Sequence, residues 1–110
     1  MAPPFGPGQV ITIFRSRLRT DANPEYTDVA TELSDLARTA DGYVDHKIFT
    51  ADDGERVTVV TFDSPDSQRR WRDLARHREA QAAGRERFYE EYSIQVGDCT
   101  TAHSFSRWGS

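Results

Sequence analysis

This chain has a single cysteine, Cys99, so no internal disulfide can form, and a cytoplasmic setting is expected. Cys99 has no His or Asp partner at short spacing and is read as a strand residue rather than a nucleophile. No window approaches the ~18 consecutive apolar residues of a membrane span. The stretch Met1 to Gly8 has neither a basic region nor an apolar run, so no signal peptide is expected. Lysine is nearly absent: of the 14 basic side chains, Lys47 is the one that is not Arg. With a net charge of −4, the chain is not expected to bind nucleic acid in general. Gly42, Gly54, Gly84 and Gly97 stand singly, which excludes a glycine-rich phosphate or dinucleotide loop. His46, His77 and His103 are scattered, so no zinc site is expected, and no other metal motif is visible.

What remains is a folded chain of one-domain size. Its 110 residues include 36% hydrophobic and 11% aromatic, too apolar for a disordered segment. Residues 1–8 hold three Pro and two Gly and are expected to form a flexible arm. A domain over 9–106 and a tail over 107–110 follow. Gln9 to Arg19 is rich in β-branched residues and predicts a strand. Asn23 is placed to cap a helix that starts at Pro24, where a missing N–H costs nothing. Tyr26, Val29, Ala30, Leu33, Leu36 and Ala37 then recur at spacings of three and four, and Gly42 suits the left-handed close. Tyr43–Thr50 and Arg56–Phe62 predict two strands joined at Asp52-Asp53-Gly54. Ser64-Pro65-Asp66 opens a second helix, with Trp71, Leu74 and Ala75 on one face and a possible break near His77. Helical composition continues to Glu91, and Tyr92 to Phe105 predicts a last strand interrupted at Gly97-Asp98.

The order strand, helix, strand, strand, helix, strand predicts an α+β, ferredoxin-like βαββαβ fold with a four-stranded antiparallel sheet. Helices would cover one face of that sheet. The last two strands carry apolar residues on both sides (Val57, Val59, Val60, Phe62; Ile94, Val96, Phe105), which a second sheet from a homodimer would cover.

Several segments together resemble a known family. They are Phe14-Arg15-Ser16-Arg17-Leu18, Gly42-Tyr43-Val44, the hairpin from Phe49 to Ser64, Trp71-Arg72, His77 to Gln81, Gly84-Arg85, Phe88-Tyr89 and Tyr92 to Val96. Over residues 9–105 the chain resembles the antibiotic biosynthesis monooxygenase superfamily, the dimeric α+β barrel proteins. The resemblance implies a small cofactor-independent oxygenase acting on an aromatic or polyketide-like molecule in secondary metabolism. It equally admits a haem- or ligand-binding protein, or a non-oxidative isomerase or cyclase, because this fold hosts all of them. The Asn, Trp and Tyr of quinone-forming members fall here on Thr58, Phe62 and Gln68, none of which keeps the family residue. The Asn, Trp and His that line the haem pocket of haem-degrading members fall on Ser16, Trp71 and Gln81, of which Trp71 agrees.

Candidate site residues follow from chemistry. His77 lies among Arg76, Arg78 and Glu79 and is the expected general base, the alternative being a surface or capping residue. His46 shares a strand face with Val44 and Ile48 and is either an inward binding residue or a structural one. Trp71 is either core or the wall on which a planar ligand stacks. Arg15 offers a guanidinium that could clamp a carboxylate, or else an interface charge beside Arg17. Ser16, Phe62 and Gln81 enter as substrate-binding positions through the family correspondence. No flavin, nicotinamide or metal is expected, and haem is the alternative cofactor.

Overall fold

The computed structural model describes residues 5–21, 25–81 and 88–108; the side chains of 25–29 and 77–81 lie outside the described set. The elements run β1 (Val10–Leu18), α1 (Glu25–Thr39), β2 (Tyr43–Thr50), β3 (Arg56–Phe62), α2 (Pro65–Gln81) and β4 (Tyr89–Asp98). All strand pairs are antiparallel, in the order β2-β3-β1-β4. This is the expected ferredoxin-like α+β fold. Among the described residues no helix is long and apolar enough to cross a membrane.

Local chemistry explains the boundaries. Gly54, at φ +89°, turns the β2–β3 hairpin, and Ala51 N–H donates to Glu55 O at 2.8 Å beneath it. Ser64 caps α2 by accepting the Ser67 N–H at 3.2 Å, and Pro65 fills the first helical position. Gly42 closes α1 at φ +82°, and its carbonyl accepts the Asp63 N–H at 2.8 Å. A Cβ there would collide with the side chains of Asp63 and Ser67, so the packing of this turn on the start of α2 requires glycine.

The register sorts the sheet into two faces. Val10, Thr12, Phe14 and Ser16 of β1 share one face with Val60 and Phe62 of β3, and the helices pack on it. Ile11, Ile13, Arg15 and Arg17 share the other with Val57, Val59 and Thr61. The apolar members of this second face, Ile11, Ile13, Val57 and Val59, are only half-buried within the protomer.

Four expectations need correction. First, β4 begins at Tyr89 rather than Tyr92, because pairing with Leu18 overrides the helical composition of Glu90 and Glu91; it ends at Asp98, one residue short of Cys99. Second, β4 is not apolar on both sides. Ile94 and Val96 pair with Phe14 and Thr12 on the helix-covered face, while Ser93 and Gln95 take the other, and Phe105 lies beyond the strand. Third, α2 runs unbroken through His77 to Gln81. Fourth, its inward stripe is Ser67, Gln68 and Ala75, all buried, with Trp71 half-buried, which leaves Leu74 53% exposed at the stripe's edge. The cap expected at Asn23 and Pro24, and residues 1–4 of the arm, lie outside the described residues; Gly8 N–H donates to Cys99 O at 3.1 Å.

Candidate functional site

A cavity of about 300 Å³ lies between the sheet and the two helices. This is the lower end of the range for small-molecule sites. All four strands contribute to its floor, among them Phe14, Ile48, Val60, Ile94 and Val96. Ala30, Leu33 and Ala37 of α1 and Trp71 and Ala75 of α2 form the roof. Helical spacing thus brings Ala30, Leu33 and Ala37 of one stripe and Trp71 and Ala75 of the other to one cavity. Ile94 and Val96 are 42% and 53% exposed, so the cavity meets solvent along the edge strand β4.

Few polar groups interrupt this wall, and each has a definite place. Gln68 Nε2–H donates to Thr12 Oγ1 at 3.2 Å, joining α2 to β1 where both residues are almost fully buried. Thr58 stands beside them on β3. The indole N–H of Trp71 is buried and meets no acceptor among the described residues. Its ring lies 5.4 Å from that of Phe62, tilted by 33°. His46 reaches the cavity from β2 with its Nδ1 2.8 Å from the Tyr43 hydroxyl oxygen. Burial lowers its pKa below the ordinary histidine value; nearby Arg38 lowers it further, and Asp45 opposes them. The shift favours the neutral imidazole.

The residues singled out from sequence do not all meet here. His46 and Trp71 stand on the cavity wall. Phe62 is fully buried behind Trp71 and forms its backing rather than the wall itself. Ser16 is buried two residues beyond Phe14, off the wall. Arg15 points away altogether, because odd positions of β1 face the side without helices; it pairs with Glu55 at 2.6 Å. Its neighbour Arg17 bonds Asp53 at 2.7 Å and Glu91 at 3.0 Å on that same face. The backbone N–H of Glu55 and the Arg17 guanidinium hold the Asp53 carboxyl below its usual pKa. The side chains of His77 and Gln81 lie outside the described residues.

Sequence reasoning gave no site role to Thr12, Tyr43, Arg72 or Arg76, and met Gln68 only as a position where the family residue is not kept; Arg72 and Arg76 also border the cavity. Thr12 had a signal, being polar at an inward-facing position of an apolar strand. Gln68 shares the helical register of Trp71 and Ala75, which marked it as inward too.

These features define a ferredoxin-like α+β protein that encloses a small-molecule-sized, mostly apolar cavity. No family model matches the chain. Over 81 residues it is 29% identical to YqjZ of Bacillus subtilis, an uncharacterised protein, covering 74% of this chain and 71% of that one. Rv0793 of Mycobacterium tuberculosis superposes with a TM-score of 0.72 at 20% identity, over 87% of this chain and 99% of that one. SnoaB of Streptomyces nogalater, described as a cofactor-independent oxygenase, does so with a TM-score of 0.64 at 16% identity, over 88% and 96%. A candidate antibiotic biosynthesis monooxygenase of Caulobacter crescentus gives 0.69 at 13% identity, over 87% and 93%. The chain thus shares its fold with these solved proteins.

Proposed function

We propose that this chain is a small oxygenase, independent of flavin, nicotinamide, metal or haem, that acts on an electron-rich aromatic or polyketide-like molecule. The observation that carries the reading is the cavity itself. Its walls are mostly apolar, the Trp71 ring offers a planar ligand a stacking surface, and an imidazole whose neutral form is favoured stands on the same wall. The likeness to SnoaB supports the same chemistry.

In this reading the substrate lies against Trp71. The tautomer this reading requires carries its proton on Nδ1, donated to the Tyr43 oxygen 2.8 Å away, which leaves Nε2 with the lone pair of a general base. The base removes a proton from an activated ring CH₂ or hydroxyl. The resulting carbanion-like anion delivers its electrons to dioxygen. For a CH₂ between aromatic rings, one oxygen atom ends as the new carbonyl, the other as water, and the substrate supplies all the electrons. Two copies pairing through Ile11, Ile13, Val57 and Val59 would cover the helix-free face and complete a barrel.

The test is oxygen uptake by the purified protein with a polyphenol and no added cofactor. His46→Ala should lose roughly 100-fold in turnover, the usual scale for an acid–base group. Full activity in His46→Ala together with loss in His77→Ala would move the base to His77. Conversion of substrate without oxygen uptake would replace the oxygenase by an isomerase or cyclase. A Soret band on adding haem, with no turnover, would make it a haem-binding protein.

A further inference from the structure

The cavity wall is at odds with the charge of the chain around it. The sequence carries 18 Asp and Glu against 14 Lys and Arg. Among the described residues of the wall there is no Asp or Glu, whereas Arg72, Arg76 and His46 are all present. Arg72 and Arg76 lie four apart on α2, one helical turn, beside Trp71 and Ala75.

Most of the described arginines near an acid are committed to it. Arg15 is held by Glu55, Arg17 by Asp53 and Glu91, Arg38 by Asp35, and Arg69 by Asp66. The two at the cavity are different. Arg72 offers its Nε to Asp73 at 3.3 Å, the longest of the described pairs. Arg76 is exposed and makes no ion pair among the described residues. The wall of a mostly apolar cleft thus carries two guanidinium groups and, among the described residues, no carboxylate. Low-dielectric walls strengthen and focus such a field.

We infer that the ligand of this cavity is an anion: a planar apolar body that packs against Trp71, bearing a carboxylate that Arg72 and Arg76 receive at the mouth. This rests on the cavity being the substrate site, and it narrows the substrate class to aromatic or polyketide carboxylic acids. A guanidinium matches the two oxygens of a carboxylate, and the longer reach of arginine lets both side chains close on one group. A neutral phenol would leave both cations unanswered.

Two shape-matched probes separate the charge from the cavity. Calorimetric titration of the full chain with 2-naphthoate and with 2-naphthamide should give about tenfold tighter binding for the acid, the scale of one charge-assisted hydrogen bond. Added salt should shrink that advantage. In the double variant Arg72→Gln, Arg76→Gln the advantage should vanish while the amide binds as before, with circular dichroism confirming the fold. If that variant does not fold, Arg76→Gln alone, at an exposed position, should cut the advantage severalfold. Equal binding of acid and amide by the unaltered protein overturns the anion proposal and leaves the cavity reading standing. So does an advantage that survives the substitutions. Binding of neither probe overturns the anion proposal and removes the support that the cavity gives to the oxygenase reading; oxygen uptake tests that reading separately.

Discussion

Tyr43 and His46 meet through a 2.8 Å contact between the hydroxyl oxygen and Nδ1, although strict alternation would place residues three apart on opposite faces of β2. The register shift between Tyr43 and Asp45 brings them to one side. The bulge therefore builds the dyad that fixes the orientation of the imidazole.

This dyad predicts a pH dependence. The pKa of His46 is lowered in the folded chain, foremost by burial, then by Arg38 against Asp45. The unfolded chain then takes up the proton at higher pH than the folded one. Stability is accordingly full above the unfolded value of about 6.5 and is lost as pH falls through the lower folded value. Urea unfolding at a series of pH values should show this slope, and His46→Gln should flatten it. Turnover should follow the neutral imidazole, falling on the acid side, and Tyr43→Phe should move that limb of the profile.

The buried bond from Gln68 to Thr12 predicts a coupled pair. Thr12→Val should cost about 1–3 kcal/mol, because it leaves the Gln68 amide dry and unpaired. Combining it with Gln68→Leu should recover part of that loss, so the two changes are not additive. Denaturant midpoints of the two single variants and the double variant provide the cycle. Strict additivity would show that the bond contributes nothing.

Gly42 and Gly54 have nearly the same backbone, φ +82° and +89°, in different surroundings. Alanine at either must bear the left-handed conformation, about 1–2 kcal/mol. At Gly42 the new methyl also collides with Asp63 and Ser67, while at Gly54 it meets open space. Thermal unfolding should therefore rank Gly42→Ala well below Gly54→Ala. Equal losses would show that the turn yields easily.

Ile13 and Val59 are direct partners on the helix-free face. If two copies join there, sedimentation at micromolar concentration should give about twice 12.5 kDa. Ile13→Asp should shift the protein to monomer by placing a charge in that contact. A folded wild-type monomer would refute the pairing.

The sequence disclosed the fold through local signals that tertiary structure did not overrule. The bounds of β2 and β3 agree with the residues expected, because Asp52-Asp53-Gly54 admits one turn and both flanks are β-branched. It failed at β4, where Glu90 and Glu91 favour a helix and only pairing with β1 makes a strand. The site was half legible. Alternation brought His46 inward, but the family correspondence set Ser16 beside Arg15 in one candidate set, although neighbouring strand residues face opposite ways. Tyr43 was hidden by a bulge that no local residue pattern announces. Thr12 drew no notice, and Gln68 entered only as a position where the family residue is not kept, because their chemistry depends on each other across 56 positions.

The placement of the two tryptophans makes the chain its own optical instrument. Trp71 sits on the cavity wall against Phe62, whereas Trp108 is 89% exposed. Indole emission is set by the polarity around the ring, so the two should emit at separable wavelengths, Trp71 to the blue of Trp108. A compound entering the cavity would quench or shift the blue component, with the red one as internal reference. Substrate candidates can then be ranked by titration in the unlabelled protein, before any product is known.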